Sequence, residues 1–384
     1  MNVFILGGGL QALSVARSLK EVGYDVFCLS SKNEAISHSK FVDKFIPSRV
    51  DISTTDYLKY ICTLLVESQC EVIIPMSDSL AEFLSRNKRE IEAKTITKCA
   101  IPSYDVFSIA NDKWKLLQLC EANGLPHPRT RALAQENLNE VARFVGFPAL
   151  IKPNISVGAR GITLVRDEME LKQKYQHIYG VFGECTLQEY IEQDGRPYYN
   201  VMIYRNAVGK IINYTILEII RYYPIKGGSS SFGRTIRNDE LLTICVKTLE
   251  KLRWVGFADF DVLRTQTGEY KIIEINPRVP ASLRAAAVSG INFPNIIVQD
   301  LTGNIIREYI YQPGKELRFL GLDIMWFLAS SSRFQVKPSW FKFLGKNLYY
   351  QDGGYKDVKA MCFNGYSGIK KMFNSSFRRS KAGL

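Results

Sequence analysis

Residues 268–282 read GEYKIIEINPRVPAS, a run of strand-forming residues that is interrupted by a carboxylate, an amide and a guanidinium. Successive side chains of a strand point to opposite faces of the sheet. We therefore predict that Glu274 and Asn276 share one face with the preceding Tyr270 and Ile272. This face is polar only at the C-terminal end of the strand.

The preceding segment, GFADFDVL at residues 256–263, is predicted to be the partner strand, with Asp259 and Asp261 on one face. The Thr-Gly pair at positions 267–268 fits the centre of a two-residue hairpin loop. Such a loop places Asp261 directly opposite Glu274. A longer loop would make Asp259 the partner instead.

Two carboxylates that face each other across a sheet repel unless something neutralises them. A divalent cation does so, and two carboxylates with an amide oxygen suit Mg²⁺, which completes its coordination with phosphates and water. We therefore predict that Asp261, Glu274 and Asn276 bind Mg²⁺. The alternative is that the strand lies at an edge and these groups are solvated.

The composition is that of a folded protein with more than one domain, since 46% of the 384 residues are hydrophobic and 23% are charged. No apolar run is long enough to cross a bilayer, and the N-terminal MNVFILGGG leads directly into a strand and a turn. The 8 cysteines form no CxxC pair, which suits a reducing compartment, so we predict a cytoplasmic protein. The 3 histidines are far apart, which argues against a histidine-built zinc site or catalytic triad.

The N-terminal strands and helices alternate, which is typical of a parallel α/β sheet. The turn GGGLQA at residues 7–12 fits the dinucleotide fingerprint G-x-G-x-x-A, so an NAD-binding domain is an alternative. However, Ser30 and Ser31 stand where an acidic residue would hold the ribose. We favour the interpretation that the glycines only permit a tight turn.

From about residue 105 the pattern changes to mixed strands and helices, which predicts an α+β unit with antiparallel sheets. A loop at residues 154–161 contains Gly158 and Gly161, which would let backbone N–H groups approach an anion. Lys152 precedes this loop and is able to reach a phosphate. Taken alone, the loop is better explained as a flexible hairpin beside a solvated lysine.

The order of these features is more specific than any one of them. Lys113 at a helix start, Lys152, the glycine loop, QEYI at 188–191 and then D-x₁₂-E-I-N-P-R follow one another. This order resembles the ATP-grasp superfamily, which includes biotin carboxylase, carbamoyl-phosphate synthetase and D-alanine–D-alanine ligase. The resemblance covers residues 1–310 and implies a Rossmann-like pre-ATP-grasp domain followed by a two-lobed ATP-grasp module. The implied domains are 1–105 and 106–310, with a C-terminal extension of unknown role at 311–384.

The resemblance also implies roles for individual residues. Those implied to bind ATP are Lys113, Lys152, Ser156, Gly158, Gly161, Gln188, Glu189, Tyr190 and Ile191. Asp261, Glu274 and Asn276 are the implied ligands of Mg²⁺, with Mn²⁺ as an alternative ion, and Arg278 is the arginine that steadies an acyl phosphate. The carboxylate that binds ribose stays open between Glu192 and Asp194.

The implied function is an ATP-dependent carboxylate–amine ligase, in which an amine displaces phosphate from an acyl phosphate. The alternatives are an NAD(P)-dependent oxidoreductase and a nucleotide-binding regulator without turnover. We expect small-molecule carboxylate and amine substrates, whose identities stay open together with the oligomeric state.

Two further segments carry predictions. Residues 221–233 are predicted to be a mobile substrate loop between a strand and a helix, with Arg221 meeting an acidic acceptor, or else a plain surface connection. The net charge of +12 indicates an anionic partner and does not distinguish a nucleotide, an acidic substrate, a nucleic acid and a membrane surface. For the aromatic and basic residues 315–384 we favour packing against the main body over docking on an anionic membrane or nucleic acid, and we expect no nucleic-acid partner.

Overall fold

The computed structural model describes residues 1–156, 160–193, 195–225, 227–351 and 354–373, with the side chains of 354–355 and 369–373 left out. Its N-terminal strands are β1 (Asn2–Leu6), β2 (Asp25–Ser30), β3 (Lys44–Pro47), β4 (Cys70–Pro75) and β5 (Lys98–Cys99). The helices between them are α1 (Gly9–Lys20), α2 (Tyr57–Ser68) and α3 (Asp78–Lys94).

These five strands form one parallel sheet in the order β3-β2-β1-β4-β5. Alternate residues of β1 enter two different cores. Val3 and Ile5 pack in one of them, and Phe4 and Leu6 pack in the other. Because both faces of the sheet are covered, its strands are apolar on both sides, as in doubly wound folds.

A second unit follows. Its elements are α4 (Tyr104–Asn111), α5 (Lys113–Ala122), β6 (Thr130–Leu133), α6 (Leu138–Val145), β7 (Ala149–Pro153), β8 (Thr163–Val165), α7 (Glu168–Phe182) and β9 (Cys185–Glu189). The four strands form an antiparallel sheet in the order β6-β9-β7-β8. Helices α6 and α7 bury their apolar sides on this sheet, where Val145 and Leu171 share a core with Ile151 and Leu187.

The third unit contains β10 (Tyr198–Arg205), β11 (Ile211–Tyr223), β12 (Ser229–Ile236), α8 (Asp239–Leu252), β13 (Gly256–Arg264), β14 (Tyr270–Asn276), α9 (Arg284–Val288) and α10 (Phe293–Leu301). The last elements are β15 (Glu316–Arg318), α11 (Leu320–Ala329), β16 (Leu348–Tyr350) and α12 (Val358–Phe373). Together the strands form a seven-stranded sheet in the order β14-β13-β10-β11-β12-β15-β16. The predicted C-terminal extension therefore contributes two strands to this sheet.

The parallel sheet and the two mainly antiparallel sheets confirm the predicted fold class, α/β followed by α+β. The domain boundaries at residues 105 and 310 stay a prediction, since one core joins residues of β1 and α1 to Tyr204, Phe257 and Phe293. Among the described residues, no helix is both long and apolar enough to cross a membrane.

The hairpin of β13 and β14 keeps the predicted pairing but not the predicted loop. Asp261 lies opposite Glu274. The loop is closed by the Thr265 N–H, which donates to the Glu269 carbonyl at 2.8 Å. Three residues, not two, lie between them, with Gly268 at a φ of +95°. A β-bulge in β14, where Ile273 is the extra residue between the Asp261–Glu274 and Val262–Ile272 pairs, offsets the longer loop, which is why the predicted pairing survives.

The bulge also changes which residues share a face. Ile272 is fully buried in the same core as Tyr270 and Ile275. The prediction that Tyr270 and Ile272 share the face of Glu274 and Asn276 is therefore wrong, since an extra residue in one strand reverses the alternation beyond it.

The segment at residues 221–233 also differs from its prediction. It consists mostly of the ends of β11 and β12, so that a short turn joins two strands rather than a strand and a helix. Arg221 is fully buried, and its Nε lies 2.7 Å from Asp323 Oδ1. Because its guanidinium is both paired with Asp323 and completely shielded from solvent, the prediction that Arg221 meets an acidic acceptor is wrong.

Candidate functional site

The carboxylates of β13 and β14 converge at the end of their hairpin. Asn276 Nδ2 lies 3.5 Å from Asp259 Oδ2 and 3.5 Å from Asp261 Oδ2. Asn200, the neighbour of Asp261 on β10, donates a side-chain hydrogen bond to Asp261 Oδ1. Asp259 Oδ1 is buried and accepts no hydrogen bond among the described residues. The cluster thus contains acceptor capacity that the protein itself does not satisfy.

The pKa values of the carboxylates also indicate that the cluster lacks a positive charge. Burial, followed by the charges of Glu274 and Asp259, raises the pKa of Asp261 well above its usual range. Burial likewise raises the pKa of Asp259, although Arg278 opposes it. For Glu274, burial is outweighed by Lys113, by a hydrogen bond with Asp261 and by Lys152, so that its pKa is lowered. A cation placed between these carboxylates would relieve their repulsion.

Within the described residues, no three His, Cys, Asp or Glu side chains are arranged to hold a metal ion. A divalent cation here would therefore rest on two carboxylates and an amide, with phosphate or water oxygens completing its coordination. Mg²⁺ commonly binds in this way.

Two lysines face the carboxylates from neighbouring elements. Lys113 is the first residue of α5, which Asp112 caps by accepting from the Lys115 N–H at 3.1 Å. Lys113 Nζ lies 3.7 Å from Glu274 Oε2 and 3.3 Å from the Ser156 carbonyl oxygen. The structure therefore brings Lys113 and Ser156 together with the carboxylate pair, as the resemblance implies.

Lys152 lies near the end of β7 and is only 5% exposed. Burial lowers the pKa of Lys152 to about 8, although the charge of Glu274 opposes this shift. A buried ammonium with a lowered pKa lacks a sufficient counter-charge. An anionic ligand at this position would supply one.

Arg278 joins the site to the N-terminal unit. Its Nε lies 2.8 Å from Asp78 Oδ1, and its Nη2 lies 3.3 Å from Asp78 Oδ2. Asp78 is the first residue of α3 and follows the capping residue Ser77. Asp78, which is 200 residues away in the sequence, therefore holds the Arg278 side chain in place. Arg278 follows the strand that carries Glu274 and Asn276.

The predicted adenine-binding segment lies beside β7. β9 pairs with β7 so that Lys152 lies opposite Thr186, which places Glu189 on the order of 10 Å along the sheet from Lys152. The Glu189 N–H donates to the Arg129 carbonyl at 2.8 Å, and the Tyr190 N–H donates to the Pro148 carbonyl at 3.3 Å.

The side chains of this segment point largely inward. Gln188 is 2% exposed, and its Nε2 donates to Thr130 Oγ1 at 3.4 Å. Ile191 is also buried. In the described part of the chain the Ile191 N–H donates no hydrogen bond, so it is a backbone donor that a ligand could use.

The glycine loop is described only at its two ends. Gly158 lies outside the described residues, as does Asp194, one of the two carboxylates considered for ribose. The other, Glu192, is exposed. Gly161 has a φ of +76°, and a Cβ there would lie 2.7 Å from Pro153 Cγ. Glycine at 161 is thus required by backbone conformation and close packing.

The N-terminal glycine turn has an internal anion. The Gly9 N–H at the start of α1 donates to Glu34 Oε2 at 2.5 Å, and a Cβ at Gly8 would lie 1.6 Å from the same oxygen. The carboxylate takes the position at the helix N-terminus where a dinucleotide would place its pyrophosphate. This arrangement does not favour the NAD-binding alternative.

Sequence reasoning missed Asn200, Asp78 and Glu34. Asn200 has a signal in the sequence, a polar residue inside the apolar strand YYNVMIY. Asp78 ends the apolar run EVIIPMSD, but nothing local connects it to Arg278. A separate cavity of about 590 Å³ is lined by residues that include Trp114, Tyr175 and Tyr179 and by none of the candidate site residues. Its lining residue Asn154 accepts from the Lys113 N–H through its carbonyl at 2.9 Å.

Comparison with known proteins finds a match to one domain family and to several relatives. Residues 110–282 match the ATP-grasp domain. D-aspartate ligase of Enterococcus faecium (strain Aus0004) is 24% identical over 328 residues, which cover 78% of this chain and 76% of that protein. The 2-oxoglutarate carboxylase small subunit of Hydrogenobacter thermophilus is 27% identical over 291 residues, and the match covers 72% of this chain and 61% of that protein. These matches confirm the predicted resemblance.

A solved structure agrees in fold. It is the biotin carboxylase domain dimer of the 2-oxoglutarate carboxylase from Hydrogenobacter thermophilus, in complex with MgADP, ADP and bicarbonate. The TM-score is 0.69 at 19% sequence identity, and the alignment covers 82% of this chain and 73% of that one. The likeness shows a shared fold.

Proposed function

We propose that this chain, in which residues 110–282 form an ATP-grasp domain, is an ATP-dependent carboxylate–amine ligase. The observation that carries the proposal is the convergence of two lysines with a carboxylate pair and an amide. These residues are Lys113, Lys152, Asp261, Glu274 and Asn276. An oppositely charged set of this kind fits a phosphate chain and its divalent cation together.

The residues present fit Mg²⁺, with Mn²⁺ as the alternative ion. Asp261 and Glu274 would bind it directly, and Asn276 would do so once its amide turns to present the oxygen. Asp259, whose Oδ1 accepts no hydrogen bond from the described residues, lies beside Asn276 and would support the group. When bound, the cation neutralises charge between the carboxylates and the phosphate oxygens.

The phosphates of ATP would lie against Lys113 and Lys152, because the ammonium groups of both lysines interact with the Glu274 carboxylate. The adenine would lie beyond the end of β9, where the Ile191 N–H donates to none of the described residues. A carboxylate oxygen of the first substrate then attacks the γ-phosphorus, and the bond from that phosphorus to the oxygen of ADP breaks. Positioning and charge neutralisation are sufficient for this step, so no covalent catalytic residue is required.

The second step joins the two substrates. The amine nitrogen attacks the acyl carbon, the bond from that carbon to the phosphate oxygen breaks, and the nitrogen loses a proton. Arg278 would hold the carboxylate and then the acyl phosphate through the guanidinium N–H groups that do not face Asp78, since a guanidinium carries five donors. Its Asp78 partner fixes its orientation.

The similarity to D-aspartate ligase supports this reaction type over the other interpretations. The oxidoreductase lacks support because Glu34 already occupies the glycine turn. ADP release distinguishes the ligase from a nucleotide-binding regulator, which would bind ATP without turnover. The carboxylate and amine themselves stay open, and the cytoplasmic location stays a prediction.

The test measures ADP release with Mg-ATP across a panel of carboxylates and amines, with hydroxylamine added to trap an acyl phosphate as a hydroxamate. We expect ADP and hydroxamate to form only with the correct carboxylate. Glu274→Gln should nearly abolish both while the protein stays folded. Glu269→Gln is the matched control, since this residue lies on the same hairpin and its side chain is 67% exposed. Full turnover by folded Glu274→Gln would refute the site, and nucleotide binding without ADP release would favour the regulator.

A further inference from the structure

The segment between β15 and β16 presents aromatic rings to solvent. Its aromatic ridge consists of Phe327, Phe334, Trp340, Phe341 and Phe343. The rings pack against one another. The ring centroids of Phe327 and Phe334 are 5.5 Å apart, and those of Phe327 and Trp340 are 4.2 Å apart. Phe334 is 72% exposed and Phe341 is 58% exposed. Exposed apolar groups that cluster in this way mark an interaction surface.

Two aliphatic side chains widen the surface. Leu344 is 88% exposed and Leu328 is 64% exposed. Both belong to the same segment as the ridge. Four apolar side chains of this one segment are therefore more than half exposed.

The ridge is held in place by buried charges. Arg221, Arg318 and Asp323 are all fully buried. Arg221 Nε lies 2.7 Å from Asp323 Oδ1, and Arg318 Nε lies 2.7 Å from Asp323 Oδ2. Desolvating three charges is costly, so the arrangement serves to fix a particular conformation.

The conformation that it fixes is that of the ridge backbone. Arg221 Nη1 donates to the Pro338 carbonyl at 3.0 Å, and Arg318 donates to the carbonyls of Trp340 at 2.9 Å and Lys342 at 3.1 Å. Residues 338–342, which belong to no helix or strand, are thus held in place by buried arginines. Its rings are thereby kept at the surface.

The charge of the segment is of one sign. Between Asp323 and Asp352 the sequence contains four cations and no acidic residue. These cations are Arg333, Lys337, Lys342 and Lys346. Lys342 is neutralised by Glu316 at 2.7 Å, whereas Lys337 and Lys346 are exposed. The surface therefore combines apolar rings with uncompensated positive charge.

We propose that the aromatic ridge docks on an anionic lipid bilayer. Lysine is depleted at protein–protein interfaces, whereas each lysine near an anionic bilayer contributes about 1 kcal/mol of attraction. Phenylalanine, tryptophan and leucine beside lysine are the side chains that insert at the headgroup boundary. The chain's own residues 374–384 supply no complementary charge, since they contain three cations and no acid.

The surface is separate from the candidate active site. β16 and β14 form opposite edges of the seven-stranded sheet, and six inter-strand spacings of about 4.8 Å place them roughly 29 Å apart. The proposal therefore does not rest on the ligase function. Changes to the ridge are expected to leave nucleotide binding unchanged.

The experiment is co-sedimentation of the full chain with vesicles of phosphatidylcholine alone and of phosphatidylcholine mixed with phosphatidylglycerol. We expect binding only to the mixed vesicles and a loss of binding at high salt, since the Debye length falls from about 10 Å at 0.1 M to about 3 Å at 1 M. Phe334→Ser with Phe341→Ser should weaken binding at least ten-fold. Lys337→Gln with Lys346→Gln should weaken it by roughly 30-fold, at about 1 kcal/mol per lysine.

The controls match each change elsewhere on the surface. Val208→Ser with Ile305→Ser removes two side chains that are 86% and 93% exposed. Lys247→Gln with Lys251→Gln removes two exposed lysines of α8. Both control variants should bind vesicles as the unchanged protein does, and all variants should keep their melting temperature.

Several results would overturn the proposal. These are equal binding to both vesicle types, unchanged binding by the aromatic variant, or equal loss in the control variants. If vesicles do not bind and the aromatic variant abolishes a dimer seen by light scattering, the ridge is an interface between copies of this chain instead. Binding of an oligonucleotide through the same residues, without vesicle binding, would also overturn it.

Discussion

Removing the charge of Asp78 is the sharpest test of how Arg278 works. Asp78→Asn keeps the shape of the side chain but leaves one acceptor oxygen, so that of two charge-assisted hydrogen bonds, at 2.8 and 3.3 Å, one becomes weaker and the other is lost. Both side chains are largely buried, at 16% exposed for Asp78 and 19% for Arg278. Hydrogen bonds to charged groups contribute about 1.5–3 kcal/mol, so we expect a loss of stability of about this size.

The expected thermal shift follows from chain length. Unfolding entropy is about 2.1 cal/mol/K per residue, so for 384 residues the loss corresponds to a fall in Tm of roughly 2–4 °C. If Arg278 also acts on the substrate, its released guanidinium will sample other orientations. We then expect single-turnover ADP formation to fall at least about ten-fold, which is 1.4 kcal/mol of transition-state stabilisation, while ATP affinity changes little.

The control is Asp239→Asn. Asp239 is the first residue of α8, as Asp78 is of α3, so both substitutions remove a carboxylate from a helix N-terminus. Asp239 is exposed and should lose neither rate nor more than a fraction of the stability. A fall in Tm for Asp78→Asn with unchanged ADP formation would show that Arg278 only ties the two units together, and would remove it from the mechanism.

Three further changes have defined outcomes. Gly9→Ala should lower Tm, since its φ is +89°, but should leave Mg-ATP affinity within about two-fold; a large loss of affinity in a folded variant would return the nucleotide to the N-terminal unit. Gly161→Ala should lower both Tm and ATP affinity, because its Cβ would lie 2.8 Å from the ring of Phe182, and an unchanged Tm would contradict this. The pKa of Lys152 is about 8, and a bound phosphate favours the charged form of this lysine. ATP affinity should therefore fall above pH 8, where binding requires Lys152 to take up a proton. Calorimetry in buffers of different ionisation enthalpy should detect this uptake.

Much of the site could be predicted from the sequence because its pattern is local. The two strands of the hairpin are close in sequence, so a short loop was enough to bring Asp261 opposite Glu274. The pairing was right although the loop was wrong, since the bulge offset the extra residue. A bulge depends on how a strand fits its neighbours on both sides, and nothing in the residues 270–276 alone indicates it.

Contacts between distant segments were beyond such reasoning. Asp78 and Arg278 are 200 residues apart, and Arg221 and Asp323 are 102 residues apart. Alternation and turn signals fix which face a residue occupies, but not which other element covers that face. Arg221 illustrates this limit, because the residues around it in the sequence do not indicate whether its side chain is exposed or fully buried.

The charges of the site indicate that it is incomplete without its ligand. Burial raises the pKa of Asp261 and lowers that of Lys152, so each group is pushed toward its neutral form. A cation and a phosphate chain would reverse both shifts at once, which makes their binding mutually supportive. We therefore expect that adding Mg²⁺ increases ATP affinity more in the unchanged protein than in Glu274→Gln, with Glu269→Gln resembling the former. Calorimetric titration of ATP with Mg²⁺ or with EDTA measures this difference, and an equal gain in all three proteins would place the cation away from β14.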